Sequence, residues 1–474
     1  MSNVVNIRPD SQSIELGFID QLVGRYKDTG PRYTSYPTVV EFSDHFTEDD
    51  LLGHLETSNR QSTPADLSLY LHLPFCSHLC FYCGCNKVVT KNQSKARTYL
   101  DFLFREMEYY GGLVDKNREI RQLHFGGGTP TFYDVEQIAA ILDGLNRQFN
   151  LVSDQYRDYS IEIDPRTVDH NYIQDLASLG FNRISLGVQD FDPDVQKAVH
   201  RIQSAQSVIR LVDQARADGI NSINFDLIYG LPKQTIKSFT NTLDQVIDAT
   251  PDRISVYHYA HLPDRFPAQK RIHESELPSK RTRLDLQKLT IEKLLKAGYV
   301  YVGMDHFAKP NDPLVRSMHD GTLRRSFQGY TTHMDCELIG MGVSAIGELE
   351  GCMYQNAKTL DDYYEGLELG SLPIKKGVAL TTDDKIRKSV IMEVMCHGYI
   401  DKHAFQNKYA HDFDDYFSKE QQAIAGLSQD NLVQHDQDRI SVTTQGRYML
   451  RNIAMVFDRY RGIPDSHTRF SKTV

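Results

Sequence analysis

The sequence predicts an α/β fold, a full or partial TIM-like barrel with an N-terminal arm and a mostly helical C-terminal domain. Three observations carry that expectation. From about residue 67, short β-rich runs alternate with amphipathic helical runs, which implies a parallel sheet built from right-handed crossovers. Several strand runs are two-faced: in RISLGVQD, Ile184, Leu186 and Val188 share one side while Ser185, Gly187 and Gln189 share the other. A doubly wound sheet buries its central strands on both faces, whereas aliphatic residues under outer helices, with small and polar ones inside, suit a barrel around a ligand. After about residue 375 the alternation stops and helical patterns take over.

Taken in order, residues 1–55 form the arm. They include RYTSYPT (32–38), rich in tyrosine and without helical period, which reads as ordered chain and not as a loose tail. Residues 56–375 form the barrel domain. Its strands are LSLYLHL (67–73), RQLHFGG (121–127), YSIEIDP (159–165), RISLGVQD (183–190), SINFDLIYG (222–230) and RISVYHYA (253–260), and YVYVGMDHF (299–307) reads as a seventh. Helices are predicted in KARTYLDFLFREMEYY, VEQIAAILDGLNRQF, SAQSVIRLVDQARADG and RTRLDLQKLTIEKLLKAG, the last closing on Gly298 as a C-cap. In YSIEIDP, Ile161 and Ile163 oppose Glu162 and Asp164; in SINFDLIYG, Ile223, Phe225 and Leu227 oppose Asn224 and Asp226. Barrel sites sit at the C-terminal ends of strands, so these late polar residues are the ones to watch. Residues 376–474 read as a helical domain with a small β-wing around RISVTTQG, winged-helix-like in outline.

A chain of 474 residues asks for a large domain plus a smaller one. With 40% hydrophobic and 24% charged residues it has a soluble globular composition. Its formal charge of −10, from 53 basic and 63 acidic residues, argues against a nucleic-acid scaffold. The N-terminal MSNVVNIRPDSQSIELGF lacks the basic and apolar regions of a secretory signal, and no apolar run approaches membrane-spanning length. The expected compartment is the cytoplasm.

Four of the seven cysteines fall in CSHLCFYCGC (76–85). A reducing compartment disfavours disulfides, and Cys336, Cys352 and Cys396 are scattered, reading as buried small hydrophobes. Zinc normally pairs two CxxC or CxxH knuckles from distant segments, and no second knuckle is present. Three thiolates spaced CxxxCxxC directly after the first strand, without a fourth partner, suit a four-iron cubane with one iron left open. Cys76, Cys80 and Cys83 are its candidate ligands. Cys85 is poorly placed to close the same cube and is available for another role. FGGGTPT (125–131) follows the second strand; its glycines let backbone approach a ligand, and bare N–H and C=O groups can hold an amino-acid zwitterion. Alone, such a turn is equally well a tight βα loop.

CxxxCxxC after the first strand of a partial barrel resembles the signature of the radical S-adenosylmethionine (radical-SAM) superfamily, and FGGGTPT resembles its GGE-type motif with Thr129 in place of Glu. The fuller set is YLHLPFCxxxCxxCGCNK, HFGGGTPT, IEIDPR, RISLGVQDF, DLIYGLPKQT, YAHLP, MDHFA, FQGYTT and MGVSAIG. Over nearly the whole chain it is similar to the oxygen-independent coproporphyrinogen III oxidase (dehydrogenase) family. The resemblance implies a three-quarter barrel and a 4Fe–4S cluster whose open iron chelates SAM. It implies conversion of two propionates of coproporphyrinogen III to vinyls in haem (porphyrin) biosynthesis, giving protoporphyrinogen IX, with loss of CO₂ and SAM as consumed oxidant.

The same resemblance implies two SAM sites. Tyr70, Gly127, Glu162 and Ile346 would line the cluster-bound one; Tyr82, Gly128, Thr129, Gln189, Arg201, Asp226 and Ala260 would line the second. Cys85 and Gln328 are the catalytic candidates. The implied partners are a tetrapyrrole substrate and an electron donor such as flavodoxin or ferredoxin, with the protein a monomer that neither binds nucleic acid nor spans a membrane. Related haem chaperones, which deliver haem without decarboxylation, are the alternative. Their motif typically reads CxxxCxxCxF, whereas Cys85 within CGCNK and the RYTSYPT arm match the oxidase pattern.

Overall fold

The computed structural model of the chain describes residues 17–26, 29–333 and 336–461. Residues 1–16 of the expected arm, and those beyond 461, lie outside the described residues. The chain forms two compact units: one is Phe42–Lys293 with Asp335–Ala379, and the other is the described part of segments 1–41, 294–334 and 380–474.

Six strands of the first unit run parallel, side by side in sequence order: β1 (Leu67–Leu73), β2 (Glu119–Gly127), β3 (Asp158–Ile163), β4 (Arg183–Gln189), β5 (Ser222–Tyr229) and β6 (Arg253–His258). Helices α1 (Gln93–Leu113), α2 (Val135–Gln148), α3 (His170–Ser178), α4 (Ala205–Ala217) and α5 (Ile236–Asp248) supply the crossovers. Asn92, Asp134, Asp169 and Thr235 each accept a backbone N–H at the start of α1, α2, α3 and α5, satisfying donors that helix geometry leaves unpaired. On the other side of β1 lies a strand not separated in the sequence reading, β7 (Glu337–Met341), paired parallel. β8 (Ile346–Leu349), β9 (Cys352–Asn356) and β10 (Ile374–Ala379) extend the sheet antiparallel. The strands form a linear path and not a closed ring, hence a partial barrel.

Burial follows the two-faced runs. In β4, Ile184, Leu186 and Val188 are buried while Ser185, Gly187 and Gln189 are partly exposed. Ile161 and Ile163 against Glu162 in β3, and Ile223, Phe225 and Leu227 against Asn224 and Asp226 in β5, repeat the pattern. Helices cover the aliphatic side, so the polar side is left to form an interior.

The second unit packs helices Thr382–Met392, Lys402–Tyr409 and Gln421–Gln429 with a three-stranded antiparallel sheet of Tyr399–Asp401, Arg439–Val442 and Val433–His435. Its core includes Ile386, Val390, Phe405, Phe417 and Ile453, and takes in Tyr33 and Tyr36 of RYTSYPT. The Tyr33 hydroxyl donates to Asp458 Oδ2 at 2.8 Å. The run 299–307 does join the main sheet, but as two strands and not one. Gly303 (φ +152°) and Met304 (φ +52°) reverse the chain, and Val300–Gly303 pairs antiparallel with His306–Ala308. Of the scattered cysteines, Cys352 and Cys396 are buried but Cys336 only partly so. Among the described residues no helix is long and apolar enough to cross a membrane.

One buried carboxylate sets the turn between β7 and β8. The core face of α1 presents Tyr99, Leu103 and Met107, yet Glu106 lies fully buried among them. Its carboxylate accepts from the Gly342 N–H (2.7 Å), Asn356 Nδ2 (2.7 Å) and the Tyr363 hydroxyl (2.6 Å). The Tyr99 hydroxyl donates to the His72 carbonyl at 2.6 Å and accepts from the Val343 N–H at 3.0 Å. Gly342 has φ +98°, and a Cβ there would lie 2.4 Å from the Tyr99 hydroxyl oxygen, so only glycine fits. Burial pushes the Glu106 carboxyl up to about 7, against the three bonds that lower it. A raised carboxyl favours the protonated folded state. Its stabilising contribution is complete below the unfolded value of 4.5 and is lost as pH rises through about 7. Between about pH 5 and 8, unfolding free energy should fall more steeply for the natural chain than for Glu106→Gln, by on the order of 2 to 3 kcal/mol. Parallel curves would show that Glu106 does not carry this pH dependence.

Candidate active site

β1 runs directly into the cysteine segment, whose base is closed by a two-residue bridge. Phe75–Cys76 lies beside Val88–Val89, with the Val88 N–H on the Pro74 carbonyl (2.8 Å) and the Thr90 N–H on that of Cys76 (2.9 Å). Chain that follows β4 holds the middle of the loop. The Phe81 N–H bonds the Val199 carbonyl (3.0 Å), His200 Nδ1 meets the Leu79 carbonyl (2.8 Å), and the Phe81 and His200 rings stack 5.0 Å apart. Cys76 and Cys80 are buried, Cys83 is partly buried and Cys85 is exposed. All four line one cavity, together with residues from the C-terminal ends of β2 to β6.

The glycine turn brings β2 against the end of β1. A Cβ at Gly127 would lie 2.7 Å from the His72 ring, and one at Gly128 2.4 Å from the Pro74 carbonyl oxygen. The Gly128 and Thr129 N–H groups bond the Leu73 and Phe75 carbonyls at 2.9 Å each, and the Gly127 N–H bonds Glu162 Oε2 at 3.2 Å. These amides are therefore engaged within the protein, which corrects the expectation of bare N–H groups. His72 Nε2 meets the Asn86 carbonyl at 2.9 Å, so Nε2 carries the hydrogen and Nδ1 accepts from the Tyr70 hydroxyl at 3.0 Å. Burial pushes His72 below its usual value, in keeping with a neutral ring.

Charge is concentrated around Cys80. Arg166 Nη2 and Arg201 Nη1 each donate to its sulfur at 3.5 Å, and both bond the same oxygen of Asp164, at 2.6 and 3.1 Å. Burial acts to raise the Asp164 carboxyl, but Arg201 and Arg166 outweigh it and hold the group below the usual carboxylate range. Arg201 also donates from Nε and Nη2 to the Gly187 carbonyl (3.2 and 2.6 Å), which fixes its fork in place. Burial pushes the Cys76 thiol up to about 11, although the Thr129 hydroxyl donates to its sulfur at 3.3 Å. Cys83 is drawn down to about 6, chiefly by a hydrogen bond from Cys85, which is pushed up by the same bond. Burial likewise raises Asp226 to about 6, against bonds from Ser185 Oγ (2.6 Å) and Asn224 Nδ2 (3.0 Å).

Of the residues singled out from the sequence, Cys76, Cys80, Tyr82, Cys83, Cys85, Gly127, Gly128, Thr129, Glu162, Gln189, Arg201 and Asp226 line this cavity. Gln189 does so from a left-handed backbone (φ +66°), a strained state for a residue with a side chain. Tyr70, Ala260 and Ile346 are not among the lining residues. Tyr70 stands in register with Gly340, and a Cβ at Gly340 would lie 2.3 Å from the Ile346 carbonyl oxygen, so these two segments are packed together. The Ala260 and Tyr82 carbonyls both accept from buried Gln269 Nε2, at 3.3 and 3.0 Å. Gln328 belongs to the other compact unit. The sequence reading passed over Gln269 and Ser185 as site residues. It saw Asp164 only as a late polar strand residue, and Arg166 only as the last letter of IEIDPR.

The residues present fit a cluster. A four-iron cube takes one thiolate per corner, so its ligands line a wall and need not meet at a point. Among the described residues no three His, Cys, Asp or Glu groups close on a single ion. Three thiols on one cavity, two guanidiniums beside Cys80 to offset negative charge, and glycine backbone where no Cβ has room match a thiolate-bound cluster with a small ligand next to it.

Comparisons with known proteins agree. A family model described as the Radical SAM superfamily matches residues 70–246, and one described as the HemN C-terminal domain matches residues 380–449. The oxygen-independent coproporphyrinogen III oxidase of Pseudomonas aeruginosa is 45% identical over 454 residues, covering 96% of this chain and 98% of that protein. The protein of the same name from Escherichia coli is 43% identical over 453 residues with the same coverage of both. The solved structure of E. coli coproporphyrinogen III oxidase (HemN), described as a radical SAM enzyme, matches with a TM-score of 0.88 at 44% identity, covering 90% of this chain and 97% of that one.

Single serine variants test the thiol assignment. After anaerobic reconstitution, Cys76→Ser, Cys80→Ser and Cys83→Ser should lose cluster iron and sulfide, while Cys85→Ser keeps them. Loss of the cluster in the Cys85 variant would make it a ligand.

Proposed function

The chain belongs to the oxygen-independent coproporphyrinogen III oxidase family of radical SAM enzymes, and from that membership we propose that it converts two propionate side chains of coproporphyrinogen III to vinyls. The product is protoporphyrinogen IX, and the activity is an oxidoreductase step of haem biosynthesis that needs no oxygen. The observation that carries this reading is one cavity lined by Cys76, Cys80, Cys83, the glycine turn, Glu162 and Asp226, in a chain similar over 96% of its length to proteins of that name. The haem-chaperone alternative is not favoured, because the relatives that match along the whole chain carry the oxidase name.

When bound, the reduced cluster and SAM supply a 5′-deoxyadenosyl radical, with methionine as by-product. The chain's own residues bind and orient. Cys76, Cys80 and Cys83 would hold the cluster, and Tyr70, Gly127, Glu162 and Ile346 would surround the SAM beside it. Tyr82, Gly128, Thr129, Gln189, Arg201, Asp226 and Ala260 would surround a second SAM. With a carboxyl near 6, Asp226 is mostly ionised at neutral pH and accepts from hydroxyl or ammonium donors. Asp164 keeps two guanidiniums against Cys80, where their charge would offset that of a bound cluster. Cys85, exposed beside the cluster ligands, and Gln328 act on the substrate. Catalysis resides in the barrel domain, 56–375; the arm, 1–55, and the helical domain, 376–474, serve the site and do not bind nucleic acid. The enzyme works as a cytoplasmic monomer and draws electrons from a flavodoxin- or ferredoxin-like donor.

Anaerobic turnover of coproporphyrinogen III tests the reading. Protoporphyrinogen IX should form with two SAM consumed per product. Deuterium on the propionate carbon attached to the pyrrole should pass into 5′-deoxyadenosine. Haem binding without any protoporphyrinogen would sink the oxidase reading, and label appearing only in water would exclude radical abstraction.

A further inference from the structure

The hairpin of Arg324–Ser326 and Gly329–Thr331 sets Arg325 opposite Tyr330. It is firmly anchored within its own unit. The Tyr330 hydroxyl donates to the Met395 carbonyl at 2.9 Å, and a Cβ on Gly303 would lie 2.4 Å from that hydroxyl oxygen. Arg325 is only 8% exposed, yet its Nε and Nη1 meet no acceptor and no carboxylate pairs with it among the described residues. Its guanidinium carbon lies 4.7 Å from the centre of the Tyr330 ring, and its charge also reaches the buried Cys396 thiol. Asp305, whose charge reaches Tyr330, is committed to Arg32 at 2.5 Å. Gln328, at the hairpin tip, also leaves both its amide oxygen and its amide nitrogen buried without partners.

This is not how the chain treats its other buried arginines. Arg118 is paired with Glu337 at 2.6 Å, and Arg201 with Asp164 at 3.1 Å. A guanidinium is charged at every accessible pH, and burying it without an anion is costly. The ring face of Tyr330 offsets only part of that cost, because it supplies no hydrogen-bond acceptor. Two unpartnered polar side chains, three residues apart on one hairpin, are therefore left open to a ligand. Its chemistry follows from theirs: an anionic acceptor for the guanidinium and the amide N–H, beside a donor for the amide oxygen.

We propose that Arg325, with Gln328 beside it, is a substrate-binding site that takes a carboxylate of the tetrapyrrole, one of the propionates of coproporphyrinogen III. A propionate carboxylate can accept from both the guanidinium and the Gln328 amide nitrogen, and a pyrrole N–H gives the Gln328 amide oxygen a donor. The inference rests on the function proposed above, and Arg325 is assigned binding and not chemistry.

The test uses the reconstituted full-length enzyme. In Arg325→Gln the KM for coproporphyrinogen III should rise about tenfold to a hundredfold with a smaller change in kcat, the effect of losing a charge-assisted bond. Arg325→Lys should recover part of the loss. In equilibrium titrations, Arg325→Gln should weaken binding of coproporphyrin III, the unreactive tetra-acid, but not of its neutral tetramethyl ester. SAM-dependent cluster signals should be unchanged. A variant that binds the tetra-acid as the natural enzyme does, whether or not its melting temperature falls, overturns the proposal and makes Arg325 a packing residue. If Arg325→Gln does not fold, the neutral Arg325→Met decides: an unaltered KM and acid-to-ester preference overturns the proposal. A natural enzyme that binds coproporphyrin III but yields no protoporphyrinogen contradicts the oxidase reading instead.

Discussion

A Cβ at Gly128 would lie 2.4 Å from the Pro74 carbonyl oxygen, and one at Gly127 2.7 Å from the His72 ring. No side chain can be accommodated at either position without moving backbone or a buried ring, so the end of β2 passes β1 at a distance open only to glycine. Much of the first unit's interior depends on that contact. It lets the Gly128 and Thr129 N–H groups close on Leu73 and Phe75, which fixes where β1 ends and the cysteine segment begins. It also seats the Thr129 hydroxyl on the Cys76 sulfur. His72, pressed against the same glycine, reaches the Asn86 carbonyl and ties the far side of the cysteine loop to the strand that launched it.

Electrostatics then separates the thiols. The chain carries a net charge of −10, yet two guanidiniums converge on Cys80, held there by the single oxygen of Asp164 that both share. Removing Asp164 would leave two like charges side by side with no anion between them, so it orients both at once. Cys83 and Cys85 share a hydrogen bond that draws one thiol down and pushes the other up. That asymmetry gives neighbouring cysteines different chemistry from one motif. Farther in, burial dominates at Asp226 and Glu106, whose carboxyls are raised although each accepts several bonds.

Much of this was legible before any coordinates. Period-two alternation in 159–165, 183–190 and 222–230 indicated which side chains face inward, because a strand's pleat leaves no other arrangement once one face is covered by helices. The spacing Cys76, Cys80, Cys83 after a strand pointed to a cluster, since thiolate geometry constrains spacing locally. The run 299–307 is strand, as its β-rich composition indicates, but it makes two strands of the sheet and not one, because Gly303 and Met304 take positive φ and fold it back on itself. β7 was not separated because ELIGM is short and apolar, without a period of its own, and becomes a strand by pairing with β1. The compact units also interleave segments far apart in sequence, 294–334 with 380–474, which no reading along the chain can reveal.

What the sequence determined by itself was local: strand and helix periodicity, the cysteine spacing, the glycine run and the polar phase of each strand. Those features are set by covalent geometry and by side chains a few residues apart. What only the tertiary structure decided was which distant groups meet. Gln269 joins the Tyr82 and Ala260 carbonyls, Asp164 joins Arg166 to Arg201, and Glu106 on α1 holds the Gly342 turn. Each of these rests on a hydrogen bond between residues whose separation along the chain says nothing about their distance in space. Only the packed structure could also show that Arg325 and Gln328 had been buried with their polar atoms unpaired, because an absent partner leaves no mark on the sequence.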